Sequence, residues 1–255
     1  LKENRYSIDG TMMSMGEIDV SLMAVKEDGS FRLSLGPEPT SQNYLHLPPE
    51  ANMLIVRQTY SRRMHQKHSV VHIKNLGESE LTSLLTAEDL TRHLINSLAF
   101  VRGTAGTFLA WVKEFKENHK NALPLGDQSF FQAAGGDPKI YYLHGYYDFK
   151  DSEYLEITTA IPECEFWNFQ LENYWMESLD YRHNPIHLNS KTAKLDTDIK
   201  SVKIVVSHQK LNIQNNIITE GRTNGAMLLR WVDARDCPIP DIQIKSITEL
   251  EVQDA

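Results

Sequence analysis

Asp180, Arg182, His183 and His187 fall within eight positions of the run "DYRHNPIHLN". An aspartate beside a histidine orients the imidazole and raises its basicity, which is what general base chemistry needs. His208 closes "IVVSHQ" and is expected at a strand end, opposite whatever the 164–184 region contributes. Asp180, His208 and His187 are therefore the candidate catalytic residues. The competing reading of the same loop is structural, with Asp180 and Asn184 bonding backbone groups around Pro185. Just upstream, Trp167, Tyr174 and Trp175 would supply the apolar walls of a small-molecule pocket, and Asp180, Arg182 and His208 its polar anchors.

Arg57 and Arg230 sit inside apolar runs, "IVRQ" and "LLRW". A guanidinium in such a strand must be paired or face a wet cavity. Each is either an anion or carboxylate clamp or a structural pair with a local Asp or Glu, and its recurrence in both halves favours the structural reading. "HQKHSVVHI" carries His65, His68 and His72; on a strand 68 and 72 share a face and 65 points away, so three-ligand convergence needs a bulge. No metal ligand set and no cofactor is assigned. Cys164 lies between Glu163 and Glu165, which raises a thiol pKa and argues against thiolate chemistry. A nucleophile elbow is missing. "GTAG" lies in a helical stretch and "GGDP" lacks the lysine of a phosphate loop.

Strands and one helix must position these groups. "SFRLSLG" (30–36) alternates apolar and polar residues after the turn signal "EDGS"; "ANMLIVRQTY" (51–60) and "HSVVHIKNLG" (68–77) read as further strands. From Thr86 the period changes. Leu90, Leu94, Leu98, Val101, Ala105, Phe108, Val112 and Phe115 follow three- and four-residue steps, which predicts a helix from about 87 to 118 with Thr86 as N-cap and Glu88 and Asp89 at its positive end. Strand patterns return in "KIYYLHGYYDF", "EYLEITTAI", "EFWNFQLEN", "SVKIVVSH" and "AMLLRWV". In "EFWNFQLEN", Trp167, Phe169 and Leu171 alternate with Asn168, Gln170 and Glu172, a strand burying its ring-bearing face.

The halves resemble each other in order. "DGSFRLSLG" faces "DIKSVKIVVSH", and fourteen residues separate Asn43 from Arg57 as they separate Asn216 from Arg230. The expected fold is mostly β: two jelly-roll or β-sandwich halves from an internal duplication, 1–85 and 133–255, joined by a helical connector, 86–132. An insertion of about 36 residues in the second copy contains "YWMESLDYRHN".

A net charge of −8 with no cationic block argues against a nucleic-acid backbone binder. No run reaches the roughly eighteen apolar residues of a membrane helix, so a membrane partner is not expected. Cys164 and Cys237, the two cysteines, are too few for a disulfide framework. The chain opens at Leu1, so an upstream segment is expected; a cytoplasmic location is slightly favoured and a lost targeting signal stays open.

The runs "GDPKIYYLHGYYD", "PECEFWNFQLENYWMESLDYR", "IVVSHQ" and "EGRTNGAMLLRWV" resemble the domain-of-unknown-function family 1214. "DGSFRLSLG" with "NYLHLPPEANMLIVRQTY" is similar to the family-1254-like region that precedes it in longer members. The resemblance implies a jelly-roll-like β protein and no activity. Members commonly carry Asn-Trp before the last strands, where this chain has Asn43-Tyr44 and Asn216-Ile217, which puts stacking by that tryptophan in doubt.

Three functions follow as expectations. The first is a small-molecule-binding protein with its pocket in the second half. The second is an assembly module forming homo-oligomers through sandwich faces, and the third a metal-dependent enzyme using His65, His68 or the His183/His187 pair.

Overall fold

The computed structural model describes residues 1–76 and 85–249. The chain is mostly β, with 29% strand and 19% helix, and divides into two compact units: Leu1–Thr59 with His68–Thr104 and Ser129–Gly136, and Tyr60–Lys67 with Ala105–Gln128 and the chain from Asp137 on.

In the first unit β1 (Lys2–Asn4) pairs antiparallel with β2 (Met12–Ser14), and β3 (Ser34–Gly36) pairs parallel with β4 (Tyr44–His46). Asn43 is buried before β4; its Oδ1 accepts the Ala24 N–H at 2.7 Å and its Nδ2 donates to the carbonyls of Ala24 and Arg32. The strand expected over 30–36 shortens to β3. The 51–60 run contributes one bridge, Met53 to Lys2, and 68–76 forms no ladder; Gly77 lies outside the described residues. Gln58 explains part of this. Its side-chain amide takes both backbone groups of Ser69 (3.0 and 3.2 Å) where a ladder rung would lie. Leu54, Ile55, Val56, Val70, Val71 and Ile73 stay exposed, so no buried face fixes a register there.

The helix α1 (Ala87–Asn118) spans the expected residues. The Thr86 hydroxyl accepts the Asp89 N–H at 3.1 Å while the Asp89 carboxylate accepts the Thr86 N–H at 3.3 Å, a reciprocal cap that satisfies two otherwise orphaned donors. Gly103 does not interrupt it. A Cβ there would lie 2.2 Å from the Tyr6 carbonyl oxygen, so glycine permits close approach of the N-terminal segment. The second helix, α2 (Gln128–Ala133), is short. Among the described residues no helix is long and apolar enough to cross a membrane.

The second unit holds β5 (Ile140–Asp148), β6 (Glu153–Ala160), β7 (Phe166–Glu172), β8 (His187–Asn189), β9 (Leu195–Asp196), β10 (Ser201–Ser207), β11 (Asn216–Ile218), β12 (Asn224–Val232) and β13 (Asp241–Ser246). One sheet runs β5-β12-β7-β8. The other runs β11-β10-β6-β13, with β9 also on β10. One core lies between them: Leu143, Trp167, Phe169, Leu171, Met227, Leu229 and Trp231 from the first sheet meet Leu155, Ile157, Val202, Ile204, Val206 and Ile217 from the second. These positions alternate along each strand, as burial of one face dictates. β10 and β11 pair parallel, and Asn216 spans them much as Asn43 serves β3 and β4: its Oδ1 accepts the Leu211 N–H and its Nδ2 donates to the Ser207 hydroxyl.

A buried carboxyl on the outer face of the four-stranded sheet

Alternation that sends Trp167, Phe169 and Leu171 inward sends Asn168, Gln170 and Glu172 to the opposite face of β7. Register brings Arg230 beside Asn168, Leu228 beside Gln170 and Ala226 beside Glu172 on β12; on the far side Gln170 faces His187 and Asn168 faces Asn189. β5 adds Tyr142, His144 and Tyr146, opposite Arg230, Leu228 and Ala226.

These side chains are linked. Arg230 Nη1 donates to Gln170 Oε1 at 3.2 Å, Asn168 Nδ2 donates to the same oxygen at 3.4 Å, and Gln170 Nε2 donates to Glu172 Oε1 at 2.5 Å. Glu172 itself is only 3% exposed, and its second oxygen, Oε2, has no hydrogen-bond partner among the described residues. Burial pushes its carboxyl above the usual range, opposed by the Arg230 charge and the Gln170 bond. An orphaned carboxyl oxygen in such a place costs the full desolvation of the group unless something donates to it.

The C-terminal part of α1 covers the β5 side of this face. Phe115 stacks on His144 with centroids 4.9 Å apart, Trp111 meets the same imidazole edge-on at 5.8 Å, and Tyr142 stacks on it at 6.1 Å. His144 is buried, and desolvation, with the Arg230 and His119 charges, pushes its pKa down to about 3; it is neutral at physiological pH. Lys116 Nζ lies 5.8 Å from the Tyr146 ring and 6.0 Å from the Tyr174 ring. Desolvation, helped by the Tyr174 and Asp148 charges, pushes the Tyr146 hydroxyl up to about 12. On the other side Asn189 Nδ2 donates to the Ser61 carbonyl at 2.9 Å. The arrangement can present a guanidinium, two amides and a carboxyl to one small polar molecule.

Of the residues singled out from sequence, Arg230, His187 and Tyr174 belong to this face. The others do not join them. Trp167 is 1% exposed and packs against Trp231 with centroids 6.0 Å apart; it is core, not a pocket wall, because the strand's alternation turns it inward. Trp175 is exposed in a turn whose amide hydrogens are held by Asn173 Oδ1. Asp180 and Arg182 form an exposed ion pair at 3.0 Å, which with the Asp180-bonded Arg182 N–H holds the Asp180 carboxyl below its ordinary range. That loop is tied down by Glu220, whose Oε1 accepts from the Asp180 N–H and the Asn184 side chain at 2.9 Å each.

His208 is stacked on Phe149 at 4.2 Å with Nδ1 2.8 Å from the Thr219 hydroxyl and Nε2 3.0 Å from the Phe149 carbonyl. Both ring nitrogens are engaged, so it pins the strand end. Arg57 is exposed and donates to the Gly135 carbonyl at 3.0 Å. Among their contacts, Arg57 donates to a backbone carbonyl and Arg230 to the side-chain amide oxygen of Gln170. Cys164 and Cys237 are free thiols, and burial, then Asp236, raises the Cys164 pKa; the cause is not the flanking glutamates. Among the described residues no three His, Cys, Asp or Glu side chains are grouped to hold a metal.

The outer face of the second sheet carries a groove of about 710 Å³ lined by Tyr154, Glu156, Lys194, Lys203 and Lys245 among others, and none of the site residues expected from sequence lines it. Glu156 bridges Lys245 at 2.7 Å and Lys203 at 3.3 Å. Burial raises its carboxyl, but the two ammonium groups outweigh that and hold it low. Glu156, Lys203 and Lys245 are thus already paired with one another.

Asn168, Gln170 and Glu172 were visible in the sequence as the polar half of an alternating strand. The burial of Glu172 was not, because it depends on what lies over the sheet. His144 gave no signal beyond its place between tyrosines.

No family model and no curated protein matches this chain. A protein from Vibrio parahaemolyticus is 14% identical over 65% of this chain and 47% of that one, with a TM-score of 0.37, too low to carry an argument. An uncharacterized protein from Burkholderia cenocepacia, known from a crystal structure, is 32% identical over 97% of this chain and 69% of that one, with a TM-score of 0.91. At that identity and coverage, the chain belongs to the family of the Burkholderia cenocepacia protein.

Proposed function

We propose that the protein binds a small polar molecule on the outer face of the β5-β12-β7-β8 sheet, with Arg230, Gln170, Asn168 and Glu172 as its hydrogen-bonding floor. The observation that carries this reading is Glu172 Oε2, a buried oxygen with no donor at the end of a side-chain chain running back to Arg230. Folded chains rarely leave such a group unsatisfied, and a ligand hydroxyl or amine would satisfy it. Arg230 supplies the complementary contact for a carboxylate or another anion. His187, opposite Gln170 on β8, stands at the rim.

The test is ligand-observed NMR with a panel of small carboxylates, amides and polyols. At least one probe gives a saturation-transfer signal that is lost in Arg230→Met and Glu172→Ala and kept in Asp180→Asn. Signals that survive both substitutions overturn the reading.

We further infer that the two halves arose by duplication of a jelly-roll-like unit, in keeping with the resemblance to family 1214. Support comes from the two parallel pairings, Ser34 with Tyr44 and Val205 with Asn216, each accompanied by an asparagine whose side chain bonds backbone across the connection.

A further inference from the structure

The apolar stripe of α1 runs further than its burial. Val112 and Phe115 are buried, whereas Leu90, Leu94, Ile95, Leu98 and Val101 are 51, 57, 59, 71 and 62% exposed. Every residue from Leu90 to Arg102 is exposed. A helix standing clear of the other described residues for more than three turns is at the limit of stability in water, and most helical stability comes from a packed apolar face.

The spacing identifies the kind of surface that would cover it. Leu94, Leu98, Val101, Ala105, Phe108, Val112 and Phe115 step by four, three, four, three, four and three. That is a strict 3.5-residue repeat with Leu94, Val101, Phe108 and Phe115 at d and Leu98, Ala105 and Val112 at a, the seam of a two-helix coiled coil. The sheet side uses the C-terminal end of this seam; the N-terminal end is open.

We propose that the open end is closed by α1 of a second copy of this chain, antiparallel, about a two-fold axis level with Asn96. In that register Leu94 of each copy packs against Leu98 of the other, Thr91 against Val101, and Ala87 against Ala105. Ile95 meets Ile95 on one flank. On the same flank Glu88 meets Arg102 of the second copy, twice by symmetry. Both are exposed, and neither has an ion pair within the described chain. A parallel pairing would set Leu90 against Ile95 and Ser97 against Arg102, leaving the charges unmatched, so the charges select the antiparallel arrangement.

The size is appropriate. Covering an aliphatic side chain removes about 60–120 Å² of apolar surface. The five exposed side chains give about 300–600 Å² per copy, or about 600–1,200 Å² in total, the low end of specific interfaces. An interface of this size fits a weak, reversible dimer.

Sedimentation equilibrium between about 1 and 100 µM tests this, with circular dichroism confirming the fold of each variant. The wild-type chain is expected to shift from monomer to dimer across that range. Arg102→Glu and Glu88→Arg each place like charges together and weaken the dimer by about tenfold, while the double variant recovers to within about threefold. Leu98→Asp abolishes association. A wild-type monomer at 100 µM overturns the proposal, and so does a dimer indifferent to Leu98→Asp or one whose single charge variants are not rescued by the double.

Discussion

Arg230 and Glu172 communicate through one amide: Gln170 Oε1 receives the guanidinium at 3.2 Å and Gln170 Nε2 reaches the carboxylate at 2.5 Å. The amide spaces the two charges, so the buried acid is influenced by the cation without an ion pair between them. This leaves Glu172 Oε2 without a donor.

Replacing Glu172 by Gln retains the shape and removes the ionisation. Burial raises the folded-state pKa of Glu172 above its unfolded value, so the folded chain binds the extra proton in the interval between them, and stability falls as pH rises through it. The variant therefore gains relative to wild type with rising pH. Urea unfolding should show Glu172→Gln gaining on wild type between pH 5 and pH 8; equal differences at the two values count against a buried, shifted carboxyl.

His144 acts in the opposite direction. Its folded pKa of about 3 lies below the ordinary 6.5, so the unfolded chain takes up the proton first as pH falls. Stability contributed by the neutral imidazole is complete above 6.5 and lost between about 6.5 and 3, at about 1.4 kcal/mol per pH unit for one proton. His144→Phe, which keeps a ring between Phe115 and Tyr142, should flatten the fall in unfolding free energy from pH 7 to pH 5. An unchanged slope would contradict the burial of His144.

The structural role of His208 predicts a stability cost. Removing two hydrogen bonds and a ring stack by His208→Ala should destabilise the chain by about 2–4 kcal/mol, while Asp180→Asn, in an exposed pair, should leave the stability close to that of wild type. Thermal unfolding of both variants separates them. A stable His208→Ala protein would return this histidine to the list of free bases.

Gly145 on β5 has no room for a side chain: a Cβ would lie 2.0 Å from the Ala122 carbonyl oxygen and 2.9 Å from Met227 Cε. Gly145→Ala should cost about 2 kcal/mol or more, since the backbone of the 119–122 segment would have to move. Unfolding at the wild-type midpoint would show that the segment is not held against β5.

The contrast between the two units explains what the sequence could convey. Helix α1 was legible to the residue because Thr86, Glu88 and the stripe from Leu90 to Phe115 are local signals. The long strands β5, β6, β7, β10 and β12 were legible because each buries alternate positions, whereas the two- and three-residue strands β8, β9 and β11 are too short to show a period. In the first unit the same alternation around Leu33 and Ile55 lacks a buried face, so β propensity had no partner to make it a ladder. Arg230 was found because a charge in "LLRW" is conspicuous. Glu172 was passed over because its polar position on β7 looks like solvent, and its burial is a tertiary fact. Asp180 in the ring-rich loop and His208 at its strand end drew attention, yet Arg182 and Thr219 occupy their side chains.

The most direct test of the binding face is crystallographic fragment screening with small hydroxy- and amino-carboxylates. The account predicts density for a bound fragment with a donor within about 3 Å of Glu172 Oε2 and its carboxylate facing Arg230. Fragments that bind only the Lys203 and Lys245 groove, with this face bare at saturating concentration, would contradict it.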